Sequence, residues 1–285
     1  MMPQFTTTTS LARANDRPRR PRRKALLGAC LFAVAAVMLA ATPVRPAAAQ
    51  MNFHPAQDAG SLLGPGRAEG AIVWSHGRSV DTEDSQAPTP DYVASFRAAG
   101  WDTFRLDRLR QVDTLDASAA ALAGETIALK AMGYRRVVLA GQSFGAFVSV
   151  IAAGLTDKVD AVIGTAPAAY GTAQTNPAGY GLNAIRLYQE LATVREARVA
   201  LFFFAGDVFD PGGRGPIADE ILASRRLPHL IVDRPARLDT HWAAAGEDFA
   251  HRYSPCLLAF ASADAARGAL DCRRLESQVE VAALR

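Results

Sequence analysis

The run Gly141-Gln142-Ser143-Phe144-Gly145 sets a serine between two glycines, each two positions away. A serine hydroxyl becomes a useful nucleophile only when a neighbouring base takes its proton and a third group orients that base. The G-x-S-x-G pattern carries that meaning when it forms the sharp turn between a buried strand and a helix. Here Val137-Val138-Leu139-Ala140 precedes it, an apolar, β-branched run that predicts a buried strand. Ala146-Phe147-Val148 follows with apolar helical spacing. A turn this tight forces Ser143 into a strained backbone conformation. It also leaves no room for side chains at 141 and 145. The hydroxyl then stands clear of the sheet at a helix N-terminus, where free amides and the helix dipole favour developing negative charge.

With Trp74-Ser75-His76-Gly77 upstream and an acid and a histidine downstream in that order, the stretch from Ala71 to Ala261 resembles an α/β-hydrolase-fold serine hydrolase, of the esterase and dienelactone-hydrolase kind. The resemblance implies a base in the loop after the last strand. Of the five histidines, His241 occupies that place, in Asp239-Thr240-His241-Trp242, a departure from the commoner Gly-His pairing. His54 precedes the fold proper, His76 belongs to the loop after the first confident strand, His229 opens a strand and His251 lies within the last helix. The acid is expected after the strand Val199 to Ala205, where Asp207 and Asp210 both stand. Asp210-Pro211 resembles the family's Asp-Pro, and Pro211 biases Asp210 toward an extended backbone. The reading therefore favours Asp210, with Asp207 as the alternative. The remaining aspartate would cap the loop or pair with Arg214. The resemblance also implies two oxyanion donors: the backbone N–H of Phe144, and one from Gly77 or Arg78.

The substrate side carries less information. Phe144, Trp242, Tyr170 and Tyr180 are candidates to line an apolar pocket and equally candidates for packing. Pro211 to Gly215 is glycine-rich but lacks the Lys-Ser/Thr of a phosphate-binding P-loop. A dinucleotide fingerprint is absent, and neither a cofactor nor a metal site is expected from C-x-x-C or His/Cys spacing.

Positioning these residues requires strands that alternate with helices. Strands are expected at Ala71–Trp74, Thr103–Leu106, Val137–Ala140, Val159–Gly164, Val199–Ala205 and Leu230–Val232. Helices are expected at Asp91–Ala99, Asp116–Met132, Leu182–Ala192, Pro216–Arg225 and Gly246–Ala261. That alternation predicts right-handed βαβ crossovers and a mostly parallel sheet flanked by helices, an α/β single-domain fold. Gln50 to Gly70 leaves little room for an opening hairpin, so reduced N-terminal strands are expected. Thr165 to Gly181 interrupts the rhythm and reads as a short cap.

Composition narrows the setting. The chain has 285 residues, 49% of them hydrophobic, enough for one substantial core. The net charge of +3 misleads, because eight of the 31 basic residues and one of the 28 acids precede Gln50. The remainder is mildly acidic, without the basic excess of a nucleic-acid binder. A basic cluster at 17–24, an apolar run at 25–41 and Ala47-Ala48-Ala49 have the order of a secretory signal peptide. An uncleaved membrane anchor is the alternative. The expected organisation is an export segment at 1–49 and a catalytic domain at 50–285, periplasmic or secreted, touching membrane only through that segment. In an oxidising compartment Cys256 and Cys272 are expected to form a disulfide, worth about 3 kcal/mol in the chain-entropy model for a loop this short. The expected activity is hydrolysis of small carboxylic esters. A catalytically silent ligand- or protein-binding module, or a thioesterase or peptidase, are the alternatives.

Overall fold

Apolar runs with β-branched residues become strands here, and Ala- and Leu-rich runs become helices. The computed structural model describes residues 52–56, 58–78, 88–108 and 113–263. The expected export segment and Cys272 lie outside the described residues. In chain order the elements are β1 (Asn52–Pro55), β2 (Ala71–Ser75), α1 (Asp91–Ala98), β3 (Asp102–Asp107), α2 (Leu115–Met132), β4 (Val137–Gln142) and α3 (Phe144–Leu155). Then follow β5 (Ala161–Thr165), α4 (Leu182–Leu191), β6 (Arg198–Phe203), α5 (Arg214–Ser224), β7 (His229–Asp233) and α6 (Glu247–Ser262). The α2 boundaries show the local logic. The Thr114 hydroxyl accepts from the Ala117 N–H at the start, and Gly133 takes a left-handed conformation at the end, φ 103°.

The sheet has seven strands in the order β1-β3-β2-β4-β5-β6-β7. Every pairing is parallel except that of β1 with β3. The single antiparallel edge strand stands where an opening hairpin was not expected to fit, so the N-terminal side is reduced. β1 itself was not foreseen. It is four residues long and ends in Pro55, a residue tolerated at a sheet edge because its missing N–H breaks no central ladder.

Side chains alternate between two cores. Ala71, Val73, Val137 and Leu139 face the side covered by α2, α3, α4 and α5. Ile72, Trp74, Val138 and Ala140 face α1 and α6. β6 shows the division within three residues. Phe202 and Phe204 pack edge-on against Phe249 of α6, with ring centroids 4.9 and 6.2 Å away. Phe203, between them, points to the opposite face. Burying strands on both faces explains why the runs read as continuously apolar rather than alternating.

The topology also fixes where a site can form. The chain runs from β2 outward to β3, then returns across β2 to β4 and proceeds the other way. Between β2 and β4 the direction of winding reverses. In open α/β sheets, ligands bind at the carboxyl ends of the strands flanking such a reversal. Ser143 follows β4 and His76-Gly77-Arg78 follow β2, so both lie at that crevice.

Candidate active site

Ser143 has φ 56° and ψ −118°, a conformation L-residues rarely adopt, and one that stores on the order of 1–3 kcal/mol. Close packing enforces it. A Cβ on Gly141 would lie 2.3 Å from the Gly145 carbonyl carbon, and one on Gly145 would lie 1.9 Å from the Ser75 carbonyl oxygen. The turn is therefore clamped between its own helix and the end of β2. The Ser143 N–H donates to the Thr165 carbonyl at 3.0 Å, which ties the turn to β5. Ser143 is buried, and α3 begins beside it at Phe144, with the Ser143 carbonyl accepting from the Ala146 N–H at 3.1 Å.

His241 is buried at the end of the loop that follows β7. Its Nδ1 lies 2.8 Å from Asp207 Oδ1. This corrects the expectation for the acid: the carboxylate that meets the imidazole belongs to Asp207, not Asp210. Asp210 Oδ1 instead accepts from Arg214 Nε at 2.6 Å and from the Gly212 N–H at 2.8 Å. The proline argument described the Asp210 backbone but not what its side chain would meet. Arg214, four residues on and wholly buried, holds it. Asp207 sits nearer the end of β6, and there the loops converge. A Cβ on Gly206 would lie 1.9 Å from the Asp239 carbonyl oxygen, so only glycine lets the histidine loop close onto the acid loop. Gln142 Nε2 donates to the His241 carbonyl at 3.3 Å, fastening the same loop to the serine turn. The Phe209 ring lies tilted against the imidazole, centroids 4.4 Å apart, and Trp242 meets it edge-on at 5.2 Å.

The acid loop is fixed from the cap side as well. Asn183, with no exposed surface, accepts from the Ala169 and Tyr170 N–H groups and donates to the Gly171 and Phe209 carbonyls. The Tyr180 hydroxyl donates to the Asp210 carbonyl at 2.7 Å. Asp207 Oδ1 accepts in turn from the Phe209 N–H at 2.9 Å.

On the other side of the serine turn, the close contact of Gly145 with Ser75 and His76 brings the loop after β2 against the start of α3. Arg108, buried at the end of β3, donates to the Gly77 carbonyl. The two sides of a trans peptide point opposite ways, so the Arg78 N–H faces away from Arg108. The guanidinium groups of Arg78 and Arg108 lie 5.1 and 5.0 Å from the centre of the Phe144 ring. Of the residues considered for a pocket, Phe144 is buried, Tyr170 packs edge-on against Phe147, and Trp242 is 59% exposed beside His241. Two other histidines have partners elsewhere: His229 bonds Asp219 and the Leu227 carbonyl, and His54 lies 3.8 Å from Asp107.

The fold has likenesses among solved structures. An acylaminoacyl peptidase in complex with Z-Gly-Gly-Phe-chloromethyl ketone is similar over 79% of this chain and 41% of its own, at 14% identity and TM-score 0.56. DcsB in complex with its substrate analogue is similar over 67% of this chain and 89% of its own, at 16% identity and TM-score 0.51. Est1E from Butyrivibrio proteoclasticus is similar over 74% and 93%, at 14% identity and TM-score 0.50. The chain has the α/β-hydrolase fold. No family model matches its sequence, and no curated protein does. It spans most of the two smaller proteins and about two fifths of the peptidase.

Within this α/β-hydrolase fold, several residues that build the site escaped the sequence reading. Gln142 and Gly206 act through the backbone of another loop, and Asn183 acts through four main-chain groups. Nothing in the spacing of these residues marks them. Arg214 was foreseen as a partner for whichever aspartate does not meet the imidazole, and it pairs with Asp210.

Proposed function

We propose that this protein is a serine hydrolase that cleaves carboxylic esters through an acyl-enzyme. The observation that carries the reading is the 2.8 Å bond from His241 Nδ1 to buried Asp207, on loops pinned to the strained turn of Ser143. In this reading Ser143 Oγ attacks the ester carbonyl while His241 Nε2 takes the hydroxyl proton. Asp207 keeps the imidazole in the tautomer with the proton on Nδ1 and stabilises the imidazolium. The carbonyl oxygen becomes an oxyanion facing the Phe144 N–H and a donor from the loop after β2. Arg78 supplies that donor rather than Gly77, because Arg108 holds the Gly77 carbonyl on the far side. Collapse of the intermediate passes the proton to the departing alcohol and leaves acyl-Ser143. Water, deprotonated by His241, releases the acid and restores the serine.

The cap is short, one loop and α4, and Trp242 beside the base is solvent-exposed. Both features suit small acyl groups. Export by the N-terminal segment, a mature domain from Gln50 onward, a periplasmic or secreted setting and a Cys256–Cys272 disulfide belong to the same proposal. Cys256 is buried on α6.

A fluorophosphonate probe tests the chemistry directly. The wild type is expected to be labelled on Ser143, and to hydrolyse p-nitrophenyl acetate faster than longer-chain esters. A folded protein that neither reacts with the probe nor turns over any ester in the series would be a binding module on this scaffold.

A further inference from the structure

Arg214 is the bulkiest of the wholly buried side chains among the described residues, and it lies between the two aspartates of the acid loop. Its Nε holds Asp210 Oδ1 at 2.6 Å. Its Nη1 donates to the Pro167 carbonyl, where the cap begins, and to the Asn183 carbonyl of α4. Its planar group lies over the Phe203 ring, 5.0 Å from the centroid. Its Nη2 is buried without a hydrogen-bond partner and stands 4.0 Å from Asp207 Oδ2, which is likewise buried and without one. The other oxygen of that carboxylate holds His241. Two unpartnered polar atoms of opposite charge thus face each other one step behind the imidazole. A buried polar atom without a hydrogen bond is costly, and here the Coulombic attraction between the two groups offsets part of that cost.

We infer that Arg214 is a positioning residue that divides its charge between two carboxylates, fixing Asp210 directly and setting, through Asp207, how strongly His241 holds a proton. The inference rests on the reading of Ser143, His241 and Asp207 as a triad. The charges that bear on it come from every side. Asp207 and Asp210 lie on the acid loop, Asp233 lies at the end of β7, and Tyr180 and Tyr188 approach from the cap. Burial raises the pKa of Asp233, with the Asp210 charge adding to the rise and the nearby arginines opposing it. Among the described residues, His241 meets only Asp207 as a charged side-chain partner; its ring is otherwise flanked by Phe209 and Trp242.

Two substitutions then have opposite consequences. Arg214→Met leaves two uncompensated carboxylates, which favours the imidazolium, so His241 titrates at higher pH. Asp210→Asn removes one negative charge and leaves Arg214 with a single carboxylate to serve, so His241 titrates at lower pH. A purely structural arginine would produce neither shift.

The test follows His241 by NMR in the full-length protein with its histidines labelled at Cε1, with His241→Gln identifying the signal. The titration midpoint is expected to rise by about one pH unit or more in Arg214→Met and to fall in Asp210→Asn. Arg214→Lys, which keeps the charge, should stay closer to wild type than the methionine variant. Midpoints unmoved by both substitutions, or moved the same way, overturn the inference. Where Arg214→Met fails to fold, Asp210→Asn decides alone, and the absence of a downward shift overturns it. Fluorophosphonate labelling of the same wild-type sample separates the two layers. Opposite shifts in a protein that the probe does not label would leave the electrostatic coupling standing and remove the triad.

Discussion

The serine turn and the acid loop both fasten to His241, the turn through a bond from Gln142 to its carbonyl and the acid loop through Asp207 to its ring, and they are built by different means. The turn is fixed by its immediate neighbours in sequence. Gly141 and Gly145 stand two residues on either side of Ser143, and backbone atoms at 1.9–2.3 Å from their imagined Cβ positions leave no alternative. The acid loop is fixed from afar. Asp207, Phe209 and Asp210 take their places from Arg214, Asn183, Tyr180 and the approach of Asp239 to Gly206. Short-range sterics settle one half of the site, and long-range polar contacts settle the other.

The sharpest way to separate the halves is to remove one group from each. Ser143→Ala deletes the hydroxyl proposed as nucleophile and leaves its backbone in place. Turnover of a short-chain ester should fall by about 10⁶, with thermal melting near wild type. A folded alanine variant with full activity would take the serine out of the mechanism.

Next in size is the acid. Asp207→Asn leaves the imidazole with its tautomer unspecified and should lower kcat by about 10⁴. Asp210→Asn breaks a buried ion pair but leaves the His241 partner untouched, so its kcat should remain within about tenfold of wild type. Its main effect should be a lower Tm, because Arg214 loses its nearest charged partner. Rates measured on both variants after circular dichroism has confirmed folding decide the matter. Collapse in the Asp210 variant with activity kept in the Asp207 variant would reverse the assignment.

These two aspartates also show how far the sequence could be read. The alternation of apolar strands and helices was legible, since β2 to β6 are buried along nearly their whole length and α2 stops on a glycine. The elbow was legible because its constraint lies within five residues. The position of His241, in the loop after the last strand, was legible. The choice between Asp207 and Asp210 was not, because it depends on which carboxylate meets Arg214. That contact is made by α5, whose position is set by its packing on β6, β7 and α4. β1 was missed for a related reason. Four residues ending in proline have little strand signal of their own, and the exposed edge of β3 supplies their pairing.

A third test moves the comparison from polar contacts to space. Gly145→Ala and Gly206→Ala each put a methyl group 1.9 Å from a carbonyl oxygen, one at the end of β2 and one in the histidine loop. The first clash is between α3 and the central strand β2 and cannot relax locally, so it should cost several kcal/mol and cripple folding. The second is between two loops, which can separate. It should leave the fold intact but pull Asp239, and with it His241, from Asp207, lowering kcat more than Tm. Soluble yield and thermal melting read the first effect, and kcat on the purified protein reads the second. Equal loss of stability in both would show that the loops are as rigid as the sheet.

The smallest expected effect concerns Asn183, whose side chain spends all of its hydrogen-bonding capacity. The amide oxygen accepts twice and the nitrogen donates twice, to backbone groups of the cap and of the acid loop at 2.9–3.1 Å. Asn183→Ala would leave two N–H and two carbonyl groups to find other partners. The carbonyls reach water more easily than a fully buried amide does, so the net cost should be about 1–3 kcal/mol, or about 2–10 °C in Tm for a domain of this size. Asn183→Asp is nearly isosteric and keeps both acceptor contacts. It should nevertheless be the worse substitution at neutral pH, because it surrenders both donors and brings a buried negative charge near Asp207 and Asp210. The sign can be checked by pH. The charge penalty raises the pKa of the introduced carboxyl in the folded state, so the deficit of Asn183→Asp relative to Asn183→Ala should shrink as pH falls toward about 4. Activity in either variant should drop less than about tenfold, because the Phe209 N–H still holds Asp207 directly. Melting curves at neutral and mildly acidic pH, with kcat measured on the folded fraction, test both halves of the statement. A loss of turnover approaching that of Asp207→Asn, with Tm unchanged, would mean that the cap and not the loop's own turn keeps the acid in place.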